Sequence, residues 1–420
     1  MVSVIGVDFG TTNSVVSFLD EDGGSRVIRF GSGALDVFRT VLCFWAEQVG
    51  VGTSLRHAAG PAAIEAYLDD PLDSRLIMSM KTYLAQRSFS ETRVFGRRHT
   101  LESLVATFLR ALLLASGQDP SGAVIVAGRP VRFAGENPDD DLGAARLRAA
   151  FAEAGLADIH MALEPEGAGY RFARTLTRPA NVLIGDFGGG TSDFSVLRFD
   201  PDGARRVVAL GNGGIGIAGD VFDFRIIDRV ISPRLGKGDS YTVMGKRMPV
   251  PIEYFASFAR WHRLSLMRNP RTLRSIEEVA RTADHPERLR SLVRLIEDEL
   301  GYQLYQAVSA VKAALSHGPE AVLMFRHKEL DINEVVRRVD FESWIAPDLA
   351  QLEATVDRVL AESGVPAGAI DHVFLTGGTS FVPAVRAIFT RRFGSDRVES
   401  GGEFVSVAEG LALIGRDRAS

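Results

Sequence analysis

Two stretches far apart in the chain share one short pattern, in which a β-branched run leads into Asp-Phe-Gly and then into small residues. The first occupies residues 4–14 and the second occupies residues 182–193. Another β-type run follows each one, so each predicts a β-hairpin whose tip carries almost no side chains. Backbone N–H groups at such a tip can surround an anion. The pattern therefore predicts two phosphate-binding tips that face each other across a cleft.

The residue types at the tips indicate how a phosphate and its metal would be held. Glycine is expected because a Cβ would block close approach and because such tips often need a positive φ. Asp8 and Asp193 are expected to hold Mg²⁺ through water molecules, because that ion keeps much of its hydration shell. The family resemblance given below makes Asp186 the best candidate to orient or deprotonate an attacking water. The residues expected to contact the phosphates are Gly10, Thr11, Thr12, Asn13, Gly188, Gly189, Gly190 and Thr191.

Composition excludes several classes of protein. With 420 residues, the chain is too long for one ordinary core, which predicts two or more domains. Its net charge of −5, without blocks of like charge, argues against nucleic acid as the main partner. Cys43 is the only cysteine, which excludes an intrachain disulfide and fits the cytoplasm. Polar residues interrupt every apolar run before ~18 positions, so we expect neither a signal peptide nor a membrane span.

The order of predicted elements repeats once along the chain. A three-stranded meander, a mostly helical insert and a β-α run occur in the first half and again in the second half. The period is far longer than that of solenoid repeats, so the pattern indicates an internal duplication. The predicted strands are 3–9, 14–19, 26–30, 123–127, 159–163, 181–185, 194–199, 206–210, 321–325 and 371–375, and the clearest helices are 101–115, 141–154, 220–231 and 341–362, with others starting at Pro165 and Pro383.

This plan predicts an α/β fold of two similar lobes. Lobe I would cover residues 1–180, with an inserted subdomain at about 39–117 and the C-terminal helix 403–420 returning to it. Lobe II would cover residues 181–402, with an inserted subdomain at about 221–316.

The two hairpins resemble the phosphate motifs of the actin, hexokinase and DnaK-type ATPase superfamily, and their sequences are close to the heat-shock-70 chaperone version. Residues 375–383 look like the adenosine motif of that family, Glu164-Pro165 resembles its motif between lobes, and residues 218–223 resemble another stretch near the nucleotide. The similarity covers nearly the whole chain in the family order. It implies an actin-like ATPase fold, with two duplicated ribonuclease-H-like units around a nucleotide cleft that binds ATP or ADP with Mg²⁺.

The resemblance also implies roles for residues outside the hairpins. Lys81 corresponds to the lysine that neutralises charge beside the γ-phosphate, and Glu164 to the acid that helps to fix water and metal. Without the resemblance, Lys81 would be an ordinary solvated lysine and Glu164 a residue that stabilises the start of the next helix. Phe381 stands where the family has an arginine against adenine, so base preference is expected to be loose. The residues implied near the nucleoside are Gly219, Lys312, Ser316, Gly377, Gly378, Thr379 and Phe381, of which Lys312 and Ser316 could equally be ordinary residues of a helix face.

The function that the resemblance implies is an ATPase and chaperone-related nucleotide switch, read by a protein partner that senses lobe opening. Residues 128–131 and the region of Trp261 and His262 are similar to the YegD-like branch, whose members are ATPase domains standing alone, so we expect no peptide-binding domain. Neither nucleic acid nor membrane is expected as a partner. A small-molecule kinase of the same superfamily, an actin-like polymerising protein and a nucleotide-binding module with negligible turnover remain alternatives.

Overall fold

Ten of the twenty strands in the described part of the chain form the two predicted meanders and their parallel partners. The computed structural model describes residues 3–20, 22–31, 35–50, 52–135, 137–200, 207–259, 267–328, 330–401 and 405–419. The strands are β1 (Val4–Phe9), β2 (Asn13–Leu19), β3 (Ser25–Val27), β4 (Phe38–Arg39), β5 (Val41–Val49), β6 (Gly52–Ala59), β7 (Ser74–Met78), β8 (Glu91–Val94), β9 (Arg97–Thr100), β10 (Val124–Arg129), β11 (Ile159–Leu163), β12 (Ala180–Phe187), β13 (Ser192–Phe199), β14 (Val207–Ile215), β15 (Ser240–Val243), β16 (Lys246–Pro249), β17 (Glu320–His327), β18 (Leu330–Arg337), β19 (His372–Thr376) and β20 (Val398–Ser400).

The helices alternate with these strands and dominate the second insert. They are α1 (Pro61–Asp69), α2 (Leu101–Ser116), α3 (Asp140–Glu153), α4 (Glu164–Ala173), α5 (Gly219–Ile226), α6 (Ile252–Phe258), α7 (Pro270–Ala280), α8 (Pro286–Glu297), α9 (Gly301–His317), α10 (Arg338–Ser363), α11 (Pro383–Phe393) and α12 (Ser406–Ala419). In the part of the chain that the structure describes, no helix combines the length and the apolar character needed to cross a membrane.

The two main sheets have the same topology. The first has the strand order β11-β10-β1-β2-β3, and the second has the order β14-β13-β12-β19-β20. In each sheet an antiparallel meander forms one side, and two parallel strands extend the other side. This repetition confirms the predicted duplicated α/β fold of the actin-like ATPase type.

Two compact units share the chain, one formed by residues 1–219 and 349–420, the other by residues 220–348. Both main sheets lie in the first unit. The second unit is mostly helical, as predicted for its insert, and also contains the hairpins β15–β16 and β17–β18. The lobe boundaries given above stay a prediction.

The first insert is richer in strands than the sequence predicts. A three-stranded sheet of order β6-β5-β7 and the hairpin β8–β9 occupy most of residues 41–100, where a mostly helical stretch was expected. Val41 to Trp45 form an unbroken apolar run that hides the two-residue period, and β6 is too polar to stand out. Strand β18 was also missed, because it too carries many polar residues. Helix α2 matches its prediction, with Thr100 capping its first turn and Gly117 ending it at φ 67°.

Helices α4 and α12 join the two main sheets. Helix α4 packs on β12 and β13 of the second sheet, while α12 packs on β1, β2 and β10 of the first. A Cβ at Gly410 would overlap the carbonyl oxygen of Gly167, so the two helix backbones touch where glycine leaves room. A Cβ at Gly6 would likewise overlap the carbonyl oxygen of Ala408. The Ser17 hydroxyl donates to that same oxygen at 2.5 Å, so α12 is fixed to the first sheet by backbone proximity and a buried hydrogen bond.

Gly410→Ala should reveal how much stability depends on this helix contact. Alanine favours a helix interior over glycine by about 1 kcal/mol, so propensity alone predicts stabilisation. We expect instead a fall of about 2 kcal/mol in the free energy of unfolding, because one backbone must move away from the other. Urea denaturation followed by circular dichroism measures the change. Gly368→Ala, where a Cβ meets nothing within 4 Å, is the matched control. Equal stability of Gly410→Ala and wild type would contradict the packing argument.

Candidate functional site

The two glycine-rich tips lie side by side in the first compact unit. The first connects β1 to β2, and the second connects β12 to β13. A Cβ at Gly190 would lie 3.4 Å from the Thr11 Oγ1 atom, which places the two tips within one side-chain length of each other. Parts of both tips are open to solvent. The pair therefore forms a place where one ligand can contact both tips.

Glycine at the tips leaves room and does not supply unusual dihedral angles. A Cβ at Gly10 would overlap the backbone oxygen of Asn13. Neither Gly10, Gly188 nor Gly190 has a positive φ, so the expectation of positive φ was wrong for these glycines. The Gly188 N–H donates to the Thr191 carbonyl at 2.9 Å and closes the second tip.

The other members of the first tip face the neighbouring strand β4. The Asn13 Oδ1 atom accepts a hydrogen bond of 3.0 Å from Arg39, and the Thr12 carbonyl accepts one from the Thr40 N–H at 2.9 Å. These contacts fix the position of the tip. The Thr11 side chain is buried and faces the second tip.

The phenylalanine of each Asp-Phe-Gly sequence anchors its strand end in the core. Phe9 contacts Phe108 with ring centroids 5.7 Å apart, and Phe187 contacts Phe194 and Phe389 at 5.6 and 6.0 Å. Since side chains alternate along a strand, a buried phenylalanine turns the preceding aspartate to the other face of the sheet. Asp8 and Asp186 therefore lie on the face opposite the phenylalanines, next to the strand ends that carry the tips.

Asp193 lies opposite Asp186 in the antiparallel pair β12–β13, so the two carboxylates share one face. Asp193 is only 1% exposed. Its Oδ1 atom accepts the backbone N–H groups of Val131 and Arg132 at 2.9 and 3.1 Å. A side chain on Gly214 would overlap that same oxygen, so the carboxylate fits closely against backbone. Asp193 thus links the second sheet to the segment that follows β10 of the first.

Lys81 and Glu164 form a buried ion pair beside these carboxylates. The Lys81 Nζ atom lies 2.5 Å from the Glu164 Oε1 atom, and each residue is 6% exposed. Lys81 belongs to a short 3₁₀ turn, Met80–Tyr83, which follows Ser79 in the left-handed conformation (φ 52°). Glu164 is the first residue of α4. Burial opposes the charge of Lys81, but Glu164 and Asp8 outweigh it and raise the lysine pKa.

The carboxylates of this site outnumber its lysine. Loss of hydration, followed by repulsion from Glu164, raises the pKa of Asp8 to about 7 and that of Asp193 to about 7. The same two causes, with Asp8 and Asp193 added, raise the pKa of Asp186 well above its usual value. Lys81 is the cation that counters all three. Such an excess of acid suits a bound cation.

A metal ion would not be held by protein carboxylates alone. Over the ranges described above, no group of three or more His, Cys, Asp or Glu side chains is arranged to hold an ion directly. Mg²⁺ usually keeps several water molecules and takes only one or two carboxylates, together with phosphate oxygens. The arrangement therefore fits Mg²⁺ that arrives with a phosphate ligand, with Asp8 and Asp193 as the predicted contacts.

Several residues predicted to lie near the nucleoside adjoin the second tip. A Cβ at Gly377, whose φ is 85°, would overlap the Phe187 carbonyl oxygen, and the Gly219 N–H points to the Gly188 carbonyl at 3.5 Å. Gly378 begins a 3₁₀ turn in which Thr379 is buried. Phe381 ends that turn and is 38% exposed, so its ring is accessible.

Lys312 and Ser316 lie on α9 in the second compact unit. The Lys312 Nζ atom pairs with the buried Asp223 carboxylate at 2.9 Å, and the Ser316 hydroxyl donates to the Lys312 carbonyl at 3.3 Å. Their contact with a nucleoside stays a prediction. Trp261 and His262, cited above for the YegD-like branch, lie outside the described residues.

Two features of the site have no counterpart in the sequence reasoning. The N–H groups of Val131 and Arg132 hold Asp193, yet backbone donors leave no mark in a residue pattern. Thr82 follows Lys81, and its hydroxyl oxygen would lie 3.7 Å from a Cβ at Gly190. Its place beside the tips depends on long-range packing.

Comparison with known proteins agrees with this geometry. A family model described as Hsp70 protein matches residues 293–416. The chaperone protein DnaK of a Thermus thermophilus strain is 24% identical over 427 residues, which covers 98% of this chain and 60% of the relative. DnaK of Thermotoga neapolitana is 25% identical over 417 residues, covering 98% of this chain and 58% of the relative. The chain thus spans about 60% of the length of the curated relatives it matches. These matches, together with the repeated sheets and the paired tips, show that the chain is similar to the ATPase domain of DnaK-type Hsp70 proteins and support a protein of that type.

Proposed function

We propose that the protein binds ATP and ADP with Mg²⁺ between its two glycine-rich tips, hydrolyses ATP, and acts as a chaperone-related nucleotide switch. The observation that carries this proposal is the approach of Gly190 to Thr11 beside a buried Lys81–Glu164 pair. Similarity to Hsp70 and DnaK proteins supports nucleotide binding and ATPase activity at the level of the family.

The chain's own residues supply positioning and charge, which is most of what phosphoryl transfer requires. The tip N–H groups and the Thr11 and Thr191 hydroxyls would donate to phosphate oxygens. Lys81 would neutralise charge on the transferred phosphate, since Glu164 fixes it in place and sustains its positive charge. When bound, Mg²⁺ would neutralise further phosphate charge.

Asp186 is the proposed group that orients or deprotonates the attacking water. Its pKa in the ligand-free protein is raised by loss of hydration and by repulsion from Glu164, Asp8 and Asp193. A cation in the site would lower that pKa and restore the carboxylate that a base requires. Binding of nucleotide and metal would therefore also prepare the base.

The switch role is the broader part of the proposal. The curated relatives are named as chaperones, and Hsp70 proteins in general bind partner proteins. We propose that a protein partner senses whether ATP or ADP is bound, in the cytoplasm, through a change that ligand contact with both tips stabilises.

Isothermal titration calorimetry with ATP, ADP, AMP and GTP in Mg²⁺ tests nucleotide binding. We expect ATP and ADP to bind and AMP to bind at least about tenfold more weakly, because the tips contact the outer phosphates. Gly190→Leu should abolish binding while the protein stays folded, since the new side chain would fill the space beside Thr11. Gly368→Leu, at an open position, is the control. Absence of ATP binding by wild type at millimolar concentration would refute the proposal.

Asp186→Asn tests the assignment of the base. The amide keeps the shape of the carboxylate but cannot accept a proton, so turnover should fall by about 100-fold or more. ATP affinity should not fall by more than a few-fold, because the substitution removes a negative charge that would repel the phosphates. Formation of ADP and release of inorganic phosphate are followed in single-turnover mixtures, with and without sugars and organic acids as acceptors. Equal amounts of the two products indicate hydrolysis, whereas ADP formed without matching inorganic phosphate indicates transfer to an acceptor. Turnover within tenfold of wild type, or about 1.4 kcal/mol of barrier, would show that Asp186 is not the base.

The stability of the ligand-free protein should fall as pH rises from 5 to 7. Asp8 and Asp193 have folded-state pKa values of about 7 against 3.8 ordinarily, so the folded protein retains protons that the unfolded chain releases. Asp193→Asn should reduce this slope by up to about 1.4 kcal/mol per pH unit, since its oxygen can still accept both backbone N–H groups. Urea denaturation at each pH measures the slope. Asp69→Asn, which removes an exposed carboxylate, is the control, and equal slopes for wild type and Asp193→Asn would contradict the prediction.

A further inference from the structure

The Thr82 hydroxyl lies at the point where the two tips meet. Its oxygen would be 3.7 Å from a Cβ at Gly190, in the same space where the Thr11 Oγ1 atom would be 3.4 Å away. Thr82 follows Lys81 directly in the turn Met80–Tyr83. A small ligand group between the tips would therefore have Thr11 and Thr82 hydroxyls on its borders.

This hydroxyl is buried and makes no hydrogen bond within the described part of the chain. Buried polar groups normally have a partner, because an unmade hydrogen bond carries the full cost of lost hydration. The Thr82 backbone is fully engaged, since its N–H donates to the Ser79 carbonyl at 3.0 Å and its carbonyl accepts from Gln86 at 3.0 Å. The Thr82 backbone is thus fixed in place, while the side-chain hydroxyl still lacks a hydrogen-bond acceptor.

The surroundings indicate which group would accept from this hydroxyl. A hydroxyl beside a lysine and two N–H-rich tips suits an anionic oxygen acceptor. Lys81 interacts electrostatically with Asp186, so the turn that carries Thr82 lies on the side of the proposed base. The phosphate on that side must be the terminal one, because it is the phosphate that water attacks.

We propose that the Thr82 hydroxyl donates a hydrogen bond to the terminal phosphate of a bound nucleoside triphosphate and so determines preference for triphosphate over diphosphate. This inference rests on the function proposed above. The alternative is that Thr82 is a spacer between the tips, in which case valine, which has nearly the same shape, would replace it without effect.

Thr82→Val and Thr82→Ser separate these two roles. Calorimetry with a non-hydrolysable ATP analogue and with ADP, both in Mg²⁺, measures the preference. For Thr82→Val we expect a loss of about tenfold in affinity for the analogue, equivalent to about 1.4 kcal/mol, and a change of less than about twofold for ADP. Thr82→Ser, which keeps the hydroxyl, should restore the wild-type preference. The exposed Thr53→Val is the matched control.

Thermal unfolding without nucleotide gives a second readout. Thr82→Val should melt no lower than wild type, because it removes an unpartnered buried hydroxyl and keeps the volume. A lower melting temperature together with equal losses for both nucleotides would show a purely structural role. Unchanged affinity of Thr82→Val for the analogue would refute the hydrogen bond while leaving nucleotide binding intact. Wild-type protein that binds neither nucleotide would refute both proposals.

Discussion

The contact between the backbones of α4 and α12 determines the geometry of the whole site. Each helix is packed on a different main sheet, and glycine at positions 167 and 410 lets the two backbones touch. The spacing of the sheets follows from that contact. Because the tips extend from those sheets, their separation of one side-chain length follows as well. Glu164 begins α4, so the same contact positions the partner of Lys81. The proposed phosphate site thus depends on two glycines that are not among its own residues.

The charge of the site is the second constraint. Three aspartates with raised pKa values and one buried ion pair are costly for a ligand-free protein, because burial removes their hydration and the carboxylates repel one another. Natural sequences accept such local costs where function requires them. Under the proposed function this imbalance would have a direct use, since a metal–nucleotide complex would bring the missing cation. The buried Thr82 hydroxyl is a similar local cost, because it has no hydrogen-bond partner in the ligand-free protein and the proposed ligand would supply one.

The sequence predicts the repeated parts of the fold well and the site only partly. Both meanders and α2 could be located because their signals are local, namely alternating apolar residues, Asp-Phe-Gly and a capped helix. The sheet β6-β5-β7 could not, because β6 is polar and pairs across a distance that local patterns do not encode. The meeting of the tips was expected from the duplication alone. The support of Asp193 by Val131 and Arg132 depends on backbone geometry, which no residue pattern records.

The residues proposed for the phosphates and those predicted for the nucleoside divide differently between the two compact units. The tips, the three aspartates and the Lys81–Glu164 pair all belong to the first compact unit. Two of the residues predicted for the nucleoside, Lys312 and Ser316, belong to the second unit. Lys312 already pairs with the buried Asp223. Under the proposed function, affinity for a triphosphate would therefore depend on packing within one unit. Preference among bases would depend in part on side chains that are exposed or already paired, so it is the property that substitution would change most readily.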